Sequence, residues 1–245
     1  MNIKDALVVI LSILSRRQIP LLSNTLKSYI VECNPYRGKA ILTSEGFLAE
    51  YIVPEKGKCL VDIGASVGIW SLFVAEKGIE VHAFEPAPQT YGILKDKAKK
   101  YPNLHVYPWA IGNKDSVGKM GLYNHPWSGG VMEKAVVNPG EKTIDVTVHT
   151  LDSVNLANIG VIKIDTEGYE TPILIGAKKT ILKNKPMLLI EVHRGTGKAS
   201  QSYAEEFDRI KNILKTFGYT WTVLYRRLTL REAQPFVIAN ASIKV

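Results

Sequence analysis

Short apolar runs alternate with helical segments from residue 58 onward. Continuous apolar runs of this length are typical of buried strands, and the helical segments between them end at glycine or begin near proline. The predicted strands are Cys59–Ile63, Ile79–Phe84, Leu104–Tyr107, Val161–Asp165 and Met187–Val192. The predicted helices are Gly68–Lys77, a segment from Pro88 to about Lys100, and a segment from the N-cap Thr171 to about Leu182. Strands and helices in this order predict an α/β fold with a largely parallel central sheet and helices on both faces.

Other segments complete this pattern. Lys119–Tyr123 and Thr143–His149 alternate with the period of exposed strands, and the loop residues His125–Gly130 lie between them. Tyr203–Phe217 has the apolar spacing of an amphipathic helix that Gly218 ends. An antiparallel hairpin at the sheet edge is predicted for the last two strands, Tyr219–Tyr225 and Phe236–Asn240.

Residues 1–40 are predicted to form an all-helical cap that precedes an α/β domain of residues 41–245. The apolar run Ala6–Ile13 is far shorter than the roughly 20 residues that cross a membrane. Asp5 before it and Arg16 after it do not fit a signal peptide. We therefore expect a buried helix in a cytoplasmic protein with no transmembrane span. Two alternatives stay open for this segment, a homodimer contact and a shallow membrane contact.

Composition and charge narrow the class of protein. Of the 245 residues, 46% are hydrophobic and 22% are charged, which are ordinary values for a globular domain. Cys33 and Cys59 provide neither a disulfide framework nor a zinc motif, and Cys59 lies in a predicted buried strand, where packing is the expected role. The net charge of +8 is spread over scattered lysines, which favours a solubilising surface over a nucleic-acid site, although a polyanionic partner stays open.

A glycine-containing turn links the first predicted strand to the first predicted helix. It reads Asp62-Ile63-Gly64-Ala65-Ser66-Val67-Gly68. Such a turn lets a ligand approach the backbone and presents free helix N–H groups. Ser66 replaces the middle glycine of the dinucleotide pattern, which disfavours NAD, whereas Glu85 at the end of the second strand is placed to accept hydrogen bonds from a ribose. The combination predicts a site for an adenosyl ligand.

A polar group follows the fourth predicted strand. Asp165 ends that strand, Glu167 and Glu170 come next, and His193 follows the neighbouring strand. Open α/β sheets bind ligands at the carboxyl ends of their strands, so these side chains are candidates for catalysis. We predict Asp165 or His193 as the base, with Glu167 and Glu170 holding the acceptor or the loop. We predict no metal site, while two other interpretations stay open: a divalent cation on these carboxylates, and acidic side chains that only complement the helix dipole.

Taken together, these motifs resemble those of the FkbM family of methyltransferases. The similar segments are Asp62–Gly68, Phe84-Glu85-Pro86, Thr150-Leu151-Asp152-Ser153, Ile162–Glu170 and Glu191-Val192-His193. The resemblance spans about residues 45–193 and implies a Rossmann-like methyltransferase fold with S-adenosylmethionine as cofactor. The family commonly has Asn where Ser66 stands, and neither the amino-terminal helices nor the last 50 residues resemble it.

The same resemblance implies a role for each cofactor-site residue. Gly64, Ser66 and Gly68 would wrap the methionine part of the cofactor, and Glu85 would bind the ribose. Trp109 and Ala110, after the third strand, would border the adenine. The rest of the predicted cofactor site comes from the same motifs: Asp62, Ala65 and Pro86.

The resemblance also implies a reaction. We expect methyl transfer to oxygen on a sugar, a glycolipid or a small metabolite, with that molecule as the partner of the enzyme. Two alternatives stay open: an RNA methyltransferase, which the basic charge would favour, and a non-catalytic protein that binds an adenosyl ligand.

Overall fold

The computed structural model describes residues 53–122, 131–132, 142–193, 203–227 and 233–241. The predicted helical cap, with its dimer and membrane alternatives, and the loop His125–Gly130 lie outside these ranges. In chain order the described strands are β1 (Cys59–Ile63), β2 (Val81–Phe84), β3 (Leu104–Tyr107), β4 (Trp109–Ile111), β5 (Ser116–Leu122), β6 (Val131–Met132), β7 (Lys142–His149), β8 (Ile159–Ile164), β9 (Met187–Glu191), β10 (Tyr219–Arg227) and β11 (Ala233–Ala241). The described helices are α1 (Ile69–Glu76), α2 (Pro88–Ala98), α3 (Leu151–Val154), α4 (Glu170–Gly176), α5 (Lys178–Asn184) and α6 (Tyr203–Thr216).

The central sheet has seven strands in the order β10-β11-β9-β8-β1-β2-β3. The five strands from β9 to β3 run parallel, and β11 pairs antiparallel with both β9 and β10. The predicted parallel sheet and the predicted hairpin at its edge are therefore confirmed. Every residue of β1 is buried, as expected for a strand in the middle of a sheet covered on both faces.

A second sheet, with the order β4-β7-β5-β6, was not predicted as a separate unit. The exposed strands near residues 119 and 143 are present as β5 and β7, which pair antiparallel. Trp109 and Ala110 directly follow the third strand, as predicted, and there they form a further strand, β4, which pairs parallel with β7. Pro108 separates β3 from β4, and a residue without an N–H interrupts strand pairing at this point.

The helix predicted from Thr171 to about Leu182 is two helices, α4 and α5, separated at Ala177. A side chain at Gly176 would come within 1.9 Å of the Gly112 carbonyl oxygen, so the break coincides with a close approach of two backbones. The predicted N-cap at Thr171 is wrong, because α4 begins at Glu170, whose carboxylate accepts a hydrogen bond from the Gly168 N–H (3.0 Å). Among the described residues no helix combines the length and the apolar character needed to cross a membrane.

The helices cover the two faces of the sheet. Trp70, Val74 and Leu94, from α1 and α2, pack on one face, and helices α4 to α6 pack on the other. Cys59 is buried in β1, and burial raises the pKa of its thiol to about 11, which fits packing rather than chemistry.

Strand alternation decides which polar side chains share a face. Leu60, Val161 and Leu189 belong to the core on the α1 face. Since side chains two apart on a strand point the same way, Asp62, Lys163 and Glu191 follow on that face at the carboxyl ends of β1, β8 and β9. This geometry assembles the candidate site.

Candidate active site

The turn between β1 and α1 is held in a left-handed conformation at three positions. Gly64 has φ +78°, Ser66 has φ +50° and Gly68, the N-cap of α1, has φ +86°. Gly64 is also required for space, because a Cβ there would lie 1.8 Å from the Asp165 carbonyl oxygen. In the part of the chain that the structure describes, no side chain caps α1, so its first N–H groups face the turn without a side-chain acceptor. The turn can therefore receive a ligand carboxylate at a helix N-terminus.

Glu85 is buried beside this turn. One oxygen of its carboxylate, Oε2, accepts a hydrogen bond from the Ser66 N–H (2.7 Å), and the other, Oε1, accepts from the Ala87 N–H and the Thr90 hydroxyl (both 2.9 Å). Burial raises the pKa of Glu85, although these three donors oppose the shift. The structure thus brings Glu85 and the turn together, with Pro86 partly exposed next to them.

Trp109 and Ala110 follow β3, whose end lies beside Glu85, and their side chains differ in exposure. The Glu85 N–H donates to the Tyr107 carbonyl (3.1 Å), which brings the end of β3 beside Glu85. The Trp109 ring is partly exposed, stacks on Tyr107 at 5.0 Å between centroids and meets the edge of His149 at 4.7 Å. Ala110 is buried in the core, as is Ala65 within the turn. Of these two residues, Trp109 is the one whose side chain offers a surface on which a flat group can stack.

Asp62 lies beneath the turn and is fully buried. The Ser71 hydroxyl donates to its Oδ2 (2.7 Å) and the Lys163 ammonium to its Oδ1 (3.2 Å). Lys163 Nζ also lies 3.3 Å from Asp165 Oδ2. Asp62, predicted as a cofactor residue, is therefore placed under the turn and tied to the polar group beyond β8.

His193 is the centre of that polar group. Its Nδ1 lies 2.9 Å from Glu170 Oε1, and Glu170 is fully buried. Its Nε2 lies 3.5 Å from Glu167 Oε2, 3.8 Å from Glu191 Oε1 and 3.9 Å from Asp165 Oδ1. The four residues predicted for catalysis, which come from the loop after β8, the start of α4 and the segment after β9, are therefore within one cluster.

The charges in this cluster favour specific protonation states. Burial lowers the pKa of His193, but the hydrogen bond to Glu170 and the neighbouring carboxylates outweigh it and raise that pKa to about 10. Burial raises the pKa of Asp165, but the charges of Lys163 and His193 outweigh it and hold that pKa below its ordinary value. At neutral pH, Asp165 is therefore ionised and His193 is an imidazolium, whose Nδ1–H donates to Glu170.

Glu167 stands at the open side of the cluster. Its side chain is 46% exposed, whereas that of Asp165 is 25% exposed and that of Glu170 is fully buried. Its backbone has φ +56°, a conformation that costs energy for a residue with a Cβ, and Gly168 follows with φ +105°. Strained backbone of this kind is typical of functional loops, and here it turns the chain from β8 into α4 across the site.

Asp165, Glu191 and His193 are the one set of residues, among those described, whose ligand atoms all lie within 4.8 Å of one another in the manner of a cation site. Imidazole binds a metal only without its proton on the ligating nitrogen. Because the surrounding carboxylates favour that proton, a divalent cation would have to displace it.

The sequence motifs predict no role for Lys163 or Glu191, and they do not point to Thr90 or Ser71. Period-two alternation from Asp62, Asp165 and His193 could have placed Lys163 and Glu191 on the same face. No local signal indicates that Thr90 and Ser71, on different helices, contact Glu85 and Asp62.

Comparison with known proteins agrees with this geometry. Residues 62–220 match the family described as the methyltransferase FkbM domain. The chain is 25% identical over 217 residues to the 31-O-demethyl-FK506 methyltransferase FkbM of Streptomyces tacrolimicus, covering 74% of this chain and 80% of that protein. It is 31% identical over 122 residues to ribosomal RNA small subunit methyltransferase A of Thermotoga petrophila, covering 46% of each.

The crystal structure of methyltransferase FkbM from Methylobacillus flagellatus KT has the same fold, with a TM-score of 0.52 and 17% identity. The alignment covers 94% of this chain and 58% of that one, so the chain spans little more than half of that protein's length. The fold is thus the Rossmann-like methyltransferase fold, with S-adenosylmethionine as cofactor. The matched family profile, over well more than half of the sequence, shows that this chain belongs to the FkbM family of methyltransferases.

Proposed function

We propose that this methyltransferase transfers its methyl group to a hydroxyl of a sugar, a glycolipid or a small metabolite, and that Asp165 accepts the hydroxyl proton. One observation carries the proposal: the backbone of Asp165 lies against Gly64 in the turn Gly64–Gly68 (the cofactor turn), which brings an ionised carboxylate to the proposed binding site of the methyl donor. A hydroxyl must lose its proton as it attacks, whereas the sulfonium donor needs no further activation.

The proposed reaction is a displacement at the methyl carbon. The acceptor oxygen forms a bond to that carbon while the carbon–sulfur bond breaks. The electron pair of the broken bond stays on sulfur, which gives S-adenosylhomocysteine. The hydroxyl proton moves to the carboxylate of Asp165. Since alignment supplies most of the rate of such a reaction, the rigid strand ends and the close contact at Gly64 are the features that matter.

The cofactor residues act in four ways in this proposal. The backbone of Gly64, Ala65, Ser66 and Gly68 holds the methionine part at the start of α1. Among the described residues, Ser66 is the one donor to the Oε2 of Glu85, which leaves a lone pair for a ribose hydroxyl. Asp62 supports the turn from beneath. Trp109 and Ala110 border the adenine, and Pro86, next to Glu85, completes the proposed cofactor site.

The negative charge of the carboxylates around His193 supports a neutral methyl acceptor. Asp165, Glu167, Glu170 and Glu191 surround His193, so carboxylates outnumber the cation they enclose. Hydroxyl groups donate readily to carboxylates, whereas phosphates are repelled by them. The Streptomyces tacrolimicus relative is named for an acceptor that is methylated on oxygen, and this also supports a hydroxyl acceptor.

RNA is the second candidate acceptor. Two observations favour it, the net charge of +8 and the 31% identity to a ribosomal RNA methyltransferase over 122 residues. Binding to RNA would weaken steeply with salt, because phosphate contacts release counterions. Salt-dependent binding and methylation of an RNA would therefore replace the hydroxyl proposal.

Two measurements test the proposal in sequence. Calorimetry with S-adenosylhomocysteine tests the cofactor site without an acceptor. Cell extracts, one portion treated with ribonuclease, are then incubated with radiolabelled S-adenosylmethionine and either the wild-type enzyme or Asp165→Asn. We expect a ribonuclease-resistant labelled product that the variant forms at least about a hundredfold more slowly. A product that is an N-methyl or C-methyl compound would contradict the proposal.

A further inference from the structure

Among the described residues of the site, Lys163 is the one buried cation to which neither the motifs nor the proposed reaction gives a role. Its side chain is 8% exposed, and it lies on β8 directly opposite Asp62 on the neighbouring β1. Its ammonium is 3.2 Å from Asp62 Oδ1 and 3.3 Å from Asp165 Oδ2. One cation therefore bridges the carboxylate beneath the cofactor turn and the carboxylate proposed to accept the proton.

The bridge is part of a continuous polar chain. Ser71 on α1 donates to Asp62, Lys163 joins Asp62 to Asp165, and Asp165 faces His193. Burying a lysine is costly unless its charge is paired, so this arrangement would not persist without its two carboxylates. An apolar residue at this position would satisfy the packing of the strand, which means that packing alone does not require lysine.

We propose that Lys163 is a positioning residue for methyl transfer, which fixes the carboxylate of Asp165 in direction and in its ionised form and joins it to the cofactor turn through Asp62. This inference rests on the proposed role of Asp165. Lys163 itself touches neither donor nor acceptor in this account. It acts through Asp165, whose other charged neighbours are His193 and Glu191.

The direct readout is the carboxyl carbon of Asp165. In protein labelled with ¹³C at aspartate carboxyl groups, the signal absent from Asp165→Asn identifies Asp165. In Lys163→Met, which keeps the length of the chain and removes the charge, the titration midpoint of that signal should rise by about one pH unit or more. Lys163→Arg should restore most of the wild-type midpoint, because the charge is retained.

A matched control uses the same substitution at an exposed pair. Lys119 is 2.8 Å from Asp145 on the surface of the second sheet, so Lys119→Met removes an exposed lysine–aspartate pair outside the cluster around His193 and should leave the Asp165 signal unchanged. If Lys163→Met does not fold, the double variant Asp62→Asn, Lys163→Met, which leaves no unpaired charge at Asp62, is measured instead. An Asp165 midpoint equal to that of the wild type in the folded variant would overturn the proposal.

The same samples separate this inference from the proposed function. S-adenosylhomocysteine binding is measured by calorimetry on the wild type and on Lys163→Met. A wild type that does not bind S-adenosylhomocysteine contradicts the proposed reaction whatever the Asp165 signal does. A wild type that binds, together with an Asp165 signal that does not respond to Lys163, contradicts the positioning role alone.

Discussion

Gly64 and Asp165 are in direct backbone contact, and a Cβ on Gly64 would lie 1.8 Å from the Asp165 carbonyl oxygen. The Asp165 N–H also donates to the carbonyl of Ile63 (3.0 Å), so two contacts join the end of β1 to the residue after β8 where the turn begins. The cofactor turn and the proposed base are therefore one rigid unit, and disturbing one disturbs the other.

Gly64→Ala should destabilise the protein and abolish cofactor binding together. The left-handed backbone costs about 1–2 kcal/mol for a residue with a Cβ, and the clash with Asp165 adds roughly 1–3 kcal/mol of overpacking. The matched control is Gly78→Ala, because Gly78 has a similar φ of +75° and nothing within 4 Å of its added Cβ. Urea unfolding and calorimetry with S-adenosylhomocysteine measure both effects, and equal losses in the two variants would contradict the contact argument.

Glu85→Gln should weaken S-adenosylhomocysteine binding by about 1–3 kcal/mol, the range for a lost hydrogen bond to a charged group. Its amide also cannot accept from all three donors that Glu85 now satisfies. Glu80→Gln is the control, since Glu80 precedes β2 at the end remote from the turn and is 56% exposed.

Because burial raises the pKa of Glu85, the affinity of the wild type for S-adenosylhomocysteine should also depend on pH. As pH decreases, the affinity should fall before an ordinary glutamate would protonate. Calorimetry over pH checks this, and an unchanged affinity in Glu85→Gln would remove Glu85 from the cofactor site.

The sequence predicted the parallel sheet well because its strands are continuous apolar runs whose signal is local. It also predicted which loops carry the site, because ligands bind at the carboxyl ends of parallel strands. It did not predict β4, where Pro108 interrupts the chain, or the break between α4 and α5, which depends on Gly112 from a distant segment. Predicting a contact such as that of Lys163 with Asp62 requires the order of the strands in the sheet. That order places β1 between β2 and β8, and it cannot be derived from the spacing of the motifs alone.

The protonated His193 predicts a loss of stability at alkaline pH. Its pKa is raised from 6.5 to about 10 in the folded protein, so its contribution is complete below pH 6.5 and disappears as pH rises through about 10. In this window the free energy of unfolding should fall by up to about 1.4 kcal/mol for each pH unit. His193→Gln should flatten this slope, and His105→Gln at a more exposed position should not. Urea unfolding at several pH values measures it, and parallel slopes for wild type and His193→Gln would contradict a protonated His193.

Turnover should not depend on a divalent cation. The carboxylates around His193 hold a proton at the place where Asp165, Glu191 and His193 would ligate a metal. Enzyme treated with a chelator and then dialysed should keep its single-turnover rate, and added Mg²⁺ or Mn²⁺ should not raise it. A rate that falls on chelation and recovers with Mg²⁺ would show that a cation displaces this proton.

Asp165→Asn and His193→Gln should lower the single-turnover rate by different factors. If Asp165 accepts the hydroxyl proton, Asp165→Asn removes the base and keeps its shape, so the rate should fall by roughly a hundredfold or more. His193 is protonated at neutral pH and so cannot take that proton; it stabilises the ionised Asp165, and its loss should cost less near neutrality and more at acidic pH, where Asp165 begins to protonate. The affinity for S-adenosylhomocysteine should change little in both variants, because the glycine turn and Glu85 form that site.

Asp145→Asn is the control for the substitution itself, because Asp145 is an exposed aspartate in the second sheet. The rates are measured with the acceptor identified by the labelling experiment, with thermal unfolding to confirm that each variant is folded. A larger loss in His193→Gln than in Asp165→Asn at neutral pH would transfer the role of base to the histidine, and near-normal rates in both would leave alignment as the whole of the catalysis.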